Sequence, residues 1–315
     1  MLEVVEAGGL ATVQDSGRVG WRRFGVPLAG PMDRIAFQAA NLLVGNSPDA
    51  AVLETGAGDI ILRAMVDCVI AVTGAGDQLS VNSWDFPLWG SYFVRGGWTV
   101  RLMKRGFGMW VYLALSGGFD VSPTLGSRST YLRGRFGGLD GRPLQPGDIL
   151  KSSEPPHTLM ESAARNMAKD ARPIYGPQPI VDVILGPQSD RFTADDLATF
   201  FSTRYRLSPS SDRMGYRLEG RPLLSAQPDL TSEGMAIGSI QVPADGQPIA
   251  MMADCATTGG YPKIACVTSA ALPLLAQCTP GVDEVHFHQV NIASAQSAYR
   301  SMMDRLRSSI IEAEG

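Results

Sequence analysis

Val66-Asp67-Cys68-Val69-Ile70-Ala71-Val72 is an apolar, β-branched run that stops at Thr73-Gly74, and it reads as a β-strand. Residues 53–72 and 97–116 share this character, and Trp110-Val111-Tyr112-Leu113-Ala114-Leu115 is the second clear case. Glycines bound each run. The 35 Gly and 21 Pro are too dispersed for low complexity; they punctuate many short segments, as where strands turn back on one another. One early helix stands out: Met32, Ile35, Ala36, Ala39, Leu42 and Leu43 share a face, Pro31 suits the first helical position, and Gly45-Asn46 ends it. Strand Ile180-Val181-Asp182-Val183-Ile184-Leu185 follows later, then a helix with capping-box spacing at Thr193 and Asp196. A last helix spans 292–311, with Ile292, Ala295, Tyr299, Met302, Met303 and Leu306 on one face to pack on the barrel or a partner. The class is mainly β with a few helices.

At 315 residues the chain exceeds the usual size of one hydrophobic core, so two domains are expected. Residues 151–178, rich in proline and polar groups, read as the connection between an N-terminal half (1–150) and a C-terminal half (179–315). Apolar residues at 44% with 18% charged point to a globular protein and not a disordered one. A net charge of −4 argues against a general nucleic-acid binder, which needs a basic surface. No apolar run approaches a membrane span, and Met1-Leu2-Glu3-Val4-Val5-Glu6 is acidic where a secretory signal is positive, so a cytoplasmic protein without a membrane is expected. Cys68, Cys255, Cys266 and Cys278 lack the pairwise spacing of a zinc site, and His286 and His288 share a strand face without a carboxylate partner in view, so no metal is expected.

Thr73-Gly74-Ala75-Gly76-Asp77-Gln78 lacks the third glycine of a dinucleotide loop and precedes another strand, so it reads as a turn. Four polar segments are candidates for chemistry. Thr12 to Asp33 offers Gln14 and Asp33 as donor and acceptor for a substrate amide, although Asp33 also suits a helix N-terminus. Gly126-Ser127-Arg128-Ser129-Thr130-Tyr131 combines hydroxyls with a guanidinium able to hold a carboxylate or phosphate. Asp212 and Arg213 form an ion-pair candidate. The densest segment runs from Thr231-Ser232-Glu233-Gly234 through Gln241 to Asp254 and Thr257-Thr258-Gly259-Gly260-Tyr261-Pro262-Lys263, polar groups among small neighbours as at a pocket rim.

Taken in order, these segments resemble the family that includes the C subunit of 5-oxoprolinase, allophanate hydrolase subunit 2, the Kip antikinase and the biotin-dependent carboxyltransferases. The likeness rests on TVQDxGRxGxxxxGVPxxGPMD at Thr12 to Asp33, then Ala40 to Asn46, Leu113 to Val121, Gly126 to Thr130 and Gly137 to Arg142. It continues through Asp212 to Leu218, Ser232 to Gly234, Asp245 to Pro248 and Thr257 to Ile264, covering roughly 1–290. One departure is local: after Ala253-Asp254 the family usually has a basic residue and then Gln, where this chain has Cys255 and Ala256.

The resemblance implies two cyclophilin-like β-barrel domains and a complex with a smaller Kip-type subunit (the B subunit of 5-oxoprolinase, or allophanate hydrolase subunit 1), joined in prokaryotic 5-oxoprolinase by the A-subunit hydrolase. The reaction it implies is ATP-dependent opening of 5-oxo-L-proline to L-glutamate, with ATP and Mg entering through the complex and no covalently bound cofactor. Carboxyl transfer from carboxybiotin to urea is one alternative, and a non-catalytic regulator that binds a Kip-type kinase inhibitor is another. Lactam, urea and the biotin ring each set an N–H beside a C=O whose oxygen gains charge. Expected roles are therefore Arg128 and Lys263 for anionic oxygen, Asp33, Asp212, Glu233 and Asp254 for N–H orientation or acid–base work, and Gln14, Ser129, Thr130, Arg213, Gln241, Thr257, Thr258 and Tyr261 for substrate binding.

Overall fold

The apolar run at residues 66–72 forms strand Cys68–Gly74, buried at every position because both its faces are covered. Ile70 and Val72 enter a core shared with Leu2, Val4, Leu62 and Val100 of a second sheet. On the other face Thr73 donates its hydroxyl to the Ala36 carbonyl of helix Arg34–Leu43 at 2.6 Å. A strand enclosed on both sides has no reason to alternate, which is why its sequence is continuous in apolar residues. Strand Ile60–Ala64, covered on one face, does alternate.

The structure is a computed structural model that describes residues 1–56, 58–153, 158–224 and 230–312. They divide into two units: unit 1 holds Met1–Arg18, Ala29–Pro173 and the stretch from Asp304, and unit 2 holds Val19–Leu28 and Ile174–Met303. In unit 1 a six-stranded sheet runs Ile149–Leu150, Leu2–Ala7, Ile60–Ala64, Thr99–Lys104, Asp77–Val81, Trp84–Phe86. A seven-stranded sheet runs Ala11–Gln14, Val52–Thr55, Val111–Leu115, Cys68–Gly74, Gly90–Val94, Arg165–Met167, Ile310–Glu312. In unit 2 a closed barrel runs Ile180–Leu185, Lys263–Val267, Ser239–Gln241, Ile249–Met251, Gly215–Glu219, Arg204–Leu207 and Glu284–Gln289, the last pairing in parallel with the first. Closure leaves these strands no open edge. Phe200 stacks on Phe287 at 4.8 Å between centroids, and Tyr205 lies beside them, filling the wall where helix Ala194–Ser202 packs.

The mainly-β class and the turn after Gly74 stand as read from sequence. Three details differ. The connection expected at 151–178 is largely part of unit 1: Arg165–Met167 pairs with both Gly90–Val94 and Ile310–Glu312, and Met167 is buried. Residues 154–157 of that stretch, including His157, lie outside the described ones. The early helix starts after Pro31, at Arg34, because Asp33 caps it: its Oδ1 accepts from the Ile35 and Ala36 amides at 3.0 Å each. The last helix, Ile292–Ser308, faces solvent along most of its length, and Leu306 is the one residue it buries. Among the described residues no helix is long and apolar enough to cross a membrane.

Candidate functional site

In unit 1 the polar loops are organised by Asp15, at the end of strand Ala11–Gln14. Its Oδ1 accepts from the Gly17 amide at 3.0 Å and from the Ser127 and Ser129 hydroxyls at 2.5 and 2.7 Å, and its Oδ2 from the Arg128 amide. Arg18, fully buried, donates Nε to the Thr124 carbonyl at 3.2 Å and Nη2 to the Ser129 carbonyl, and lies over the Phe136 ring at 4.7 Å. The Gly138 amide donates to the Arg128 carbonyl at 3.0 Å. The main chain is thus held on both sides of Arg128, whose half-buried guanidinium makes no hydrogen bond or ion pair with described residues. A fixed cation whose charge is not neutralised can receive a carboxylate or phosphate at low entropic cost.

The other groups expected at the substrate in this unit are spent on structure. Ser129 and Thr130 are fully buried; the Thr130 hydroxyl donates to the Val13 carbonyl at 3.0 Å, and Ser129 serves Asp15. Gln14 donates to the Thr12 hydroxyl at 3.0 Å and the Thr130 carbonyl at 3.2 Å, leaving its buried Oε1 without a described partner. Asp33, expected as an acid–base group, is fully buried and caps helix Arg34–Leu43; its amide donates to the Tyr112 hydroxyl at 2.7 Å, which in turn donates to Glu54 at 2.7 Å.

In unit 2 two ion pairs shape the site. Arg213 and Asp254, both buried, pair through two bonds of 3.0 Å, Nε to Oδ2 and Nη2 to Oδ1. Asp212 turns its Oδ1 onto the Met214 and Gly215 amides at 2.8 and 3.3 Å and so folds the loop that places Arg213. The second pair is more open: Lys263, 6% exposed at its side chain, donates Nζ to Glu233, whose side chain is 41% exposed. Gln188 bridges them, donating Nε2 to the same Glu233 oxygen at 2.8 Å and accepting the Lys263 amide at 3.2 Å. The hydrogen bond from Lys263 holds the Glu233 carboxyl below the usual carboxylate range.

The barrel and a small ribbon bring the remaining groups to this pair. Gln241 is in register with Lys263 on adjacent strands, and Glu233 pairs with Gly259 in the ribbon Glu233–Gly234 and Thr258–Gly259. Gly259 lets the ribbon close in, since a Cβ there would meet Gln241 Oε1 at 3.2 Å and Met235 Cε at 2.4 Å. Gln241, Thr257, Thr258 and Tyr261 make no side-chain hydrogen bond with described residues. An ionised carboxylate therefore pairs across the ribbon with Gly259, beside which lies the free Gln241 amide, and the unbonded hydroxyls of Thr257, Thr258 and Tyr261 belong to the same stretch of chain.

The carboxyltransferase domain, subdomain A and B, matches residues 24–289. The chain belongs to this family. Its sequence is 36% identical over 314 residues to the 5-oxoprolinase C subunit of Haemophilus influenzae, and the match spans 98% of each chain. It is 37% identical to the 5-oxoprolinase C subunit of Escherichia coli over 95% of this chain and 94% of that one. The crystal structure of the Kluyveromyces lactis urea carboxylase superposes with a TM-score of 0.88 at 29% identity, covering 99% of this chain and 30% of that one.

Several family motifs now have a physical reason. Gly137 and Gly138 adopt positive φ and press on the Arg128 loop: a Cβ on Gly137 would sit 2.0 Å from the Ser129 carbonyl oxygen. Asp15, Arg18 and Gln188 were missed as organisers, although Asp15-Ser16-Gly17 is a recognisable turn in which an Asp side chain bonds the amide two residues on. Gln188 gives no local signal, because its partners lie 45 and 75 residues away. Cys255 is fully buried with Met235 and Met251, and burial pushes its thiol up.

Proposed function

We propose that this chain is one component of a cytosolic, ATP-dependent 5-oxoprolinase complex that opens 5-oxo-L-proline to L-glutamate. The observation that carries the reading is the match to the 5-oxoprolinase C subunit over 98% of both chains, a likeness to the whole of that protein and not to one module of it. The unit 2 site suits the chemistry. Glu233, kept ionised by Lys263, accepts the lactam N–H, and the amide of Gln241 with the hydroxyls of Thr257, Thr258 and Tyr261 surround the carbonyl oxygen as charge grows on it. Arg128 supplies a separate anion-holding guanidinium in unit 1. ATP is a co-substrate of the complex, and no step of it is routed through these residues. The partners are the A-subunit hydrolase and the smaller Kip-type subunit.

A second reading, carboxyl transfer between carboxybiotin and urea, draws support from the urea carboxylase superposition, but that protein is more than three times as long and less similar in sequence. Co-expression with both partner subunits separates the readings. Glutamate release from 5-oxo-L-proline that depends on ATP is expected. A stable complex without release speaks for a regulator, and bicarbonate- and biotin-dependent use of urea speaks for carboxyl transfer; either result contradicts the proposal. Arg128→Ala should abolish release without dissolving the complex.

A further inference from the structure

Unit 2 contains another cation near the open site, Arg22, and it is held differently from Lys263 and Arg213. Arg22, in the stretch Val19–Leu28 that folds into unit 2, donates Nη2 to the main-chain carbonyls of Met235 and Ala256, the latter at 3.3 Å. Lys263 is neutralised by Glu233 and Arg213 by Asp254. Arg22 has no carboxylate partner among the described residues, and carbonyl oxygens orient a guanidinium without cancelling its charge. It is half-buried, so that charge is incompletely screened by water. Its contacts also fix its neighbourhood: Met235 lies two residues beyond Glu233 and bonds the Thr257 carbonyl at 2.9 Å, and Ala256 directly precedes Thr257 and Thr258.

We propose that Arg22 is the residue that binds the substrate's carboxylate in the unit 2 site. The inference rests on the lactam reading above and sharpens it: 5-oxo-L-proline carries a carboxylate beside its lactam, whereas urea carries none. With Nη2 holding the loop, Nε and Nη1 keep N–H donors that can each give a charge-assisted hydrogen bond to a carboxylate oxygen.

The test uses the full complex and two ligands, 5-oxo-L-proline and 2-pyrrolidinone, the same lactam without the carboxylate. Arg22→Gln keeps a donor for the two carbonyls and removes the charge, Arg22→Lys keeps the charge, and Arg23→Gln is the neighbouring control; melting curves show that each variant folds. Loss of a charge-assisted bond should raise KM for 5-oxo-L-proline roughly 10- to 100-fold in Arg22→Gln with kcat nearly kept, and Arg22→Lys should recover part of it. Calorimetric affinity for 2-pyrrolidinone should not change. Equal KM in wild type and Arg22→Gln, or equal weakening of both ligands, overturns the inference while leaving the lactam reading intact. If wild-type complex releases no glutamate, the lactam reading fails, and calorimetry alone decides on Arg22: carboxylate-dependent binding lost in Arg22→Gln upholds the assignment, and its absence in wild type or persistence in the variant ends it.

Discussion

Asp33 and Asp254 illustrate how a carboxylate in a suggestive motif can be taken up by structure. Asp33 ends the chain's entry into helix Arg34–Leu43 and receives two of its unpaired amides, so Asp33→Ala should lower stability by about 1–2 kcal/mol in chemical denaturation while the turnover of folded complex is kept. Asp254 and Arg213 are both buried, and truncating one strands the other's charge in a dry site; Arg213→Ala should cost about 3–5 kcal/mol. Replacing both with apolar residues should recover much of that. Glu233 behaves otherwise, because its carboxylate stays half open. Its folded pKa is depressed, so the charge and the ion pair are complete above the ordinary Glu range near about 4.3 and are lost only as pH falls through the lower folded value. The acid limb of kcat/KM should therefore move to higher pH in Lys263→Met, and an unmoved limb would remove Glu233 from the chemistry.

At the scale of elements, the Arg128 loop owes its shape to contacts made from elsewhere in unit 1. Asp15 collects four donors, three of them from residues 127–129, and Asp15→Asn keeps the size but turns one acceptor into a donor. A loss of about 2–3 kcal/mol is expected, as for a charged group's hydrogen bonds in a buried place. Amide exchange in residues 126–130 should quicken with it; unchanged exchange would mean that the loop holds itself. Strands such as Cys68–Gly74 and Val111–Leu115 were legible in the sequence because burial is written locally in apolar runs, and the capping box at Thr193 and Asp196 was legible because both partners lie within one turn. The organisers were harder to see. Asp15 acts on residues more than a hundred positions away, and Gln188 joins Glu233 of the ribbon to Lys263 of the barrel. Polar residues in a motif mark a place in the fold, and the pairing decides which of them remain available.

For the whole molecule, the family likeness spans nearly the entire chain, and the structure sorts its polar motifs into two groups, one in each unit. In unit 1 they build a rigid support that leaves Arg128 unneutralised. In unit 2 they leave Glu233, Gln241, Thr257, Thr258 and Tyr261 open to a ligand, and that group is the one with the means for acid–base work. Glu233 is proposed as the proton acceptor for a lactam. That role is tested most directly by the rate of glutamate release from 5-oxo-L-proline by the assembled complex carrying Glu233→Gln. A fall of roughly 100- to 10,000-fold with the complex intact is the predicted result, in line with removal of a general base. A rate equal to that of the wild-type complex would contradict it.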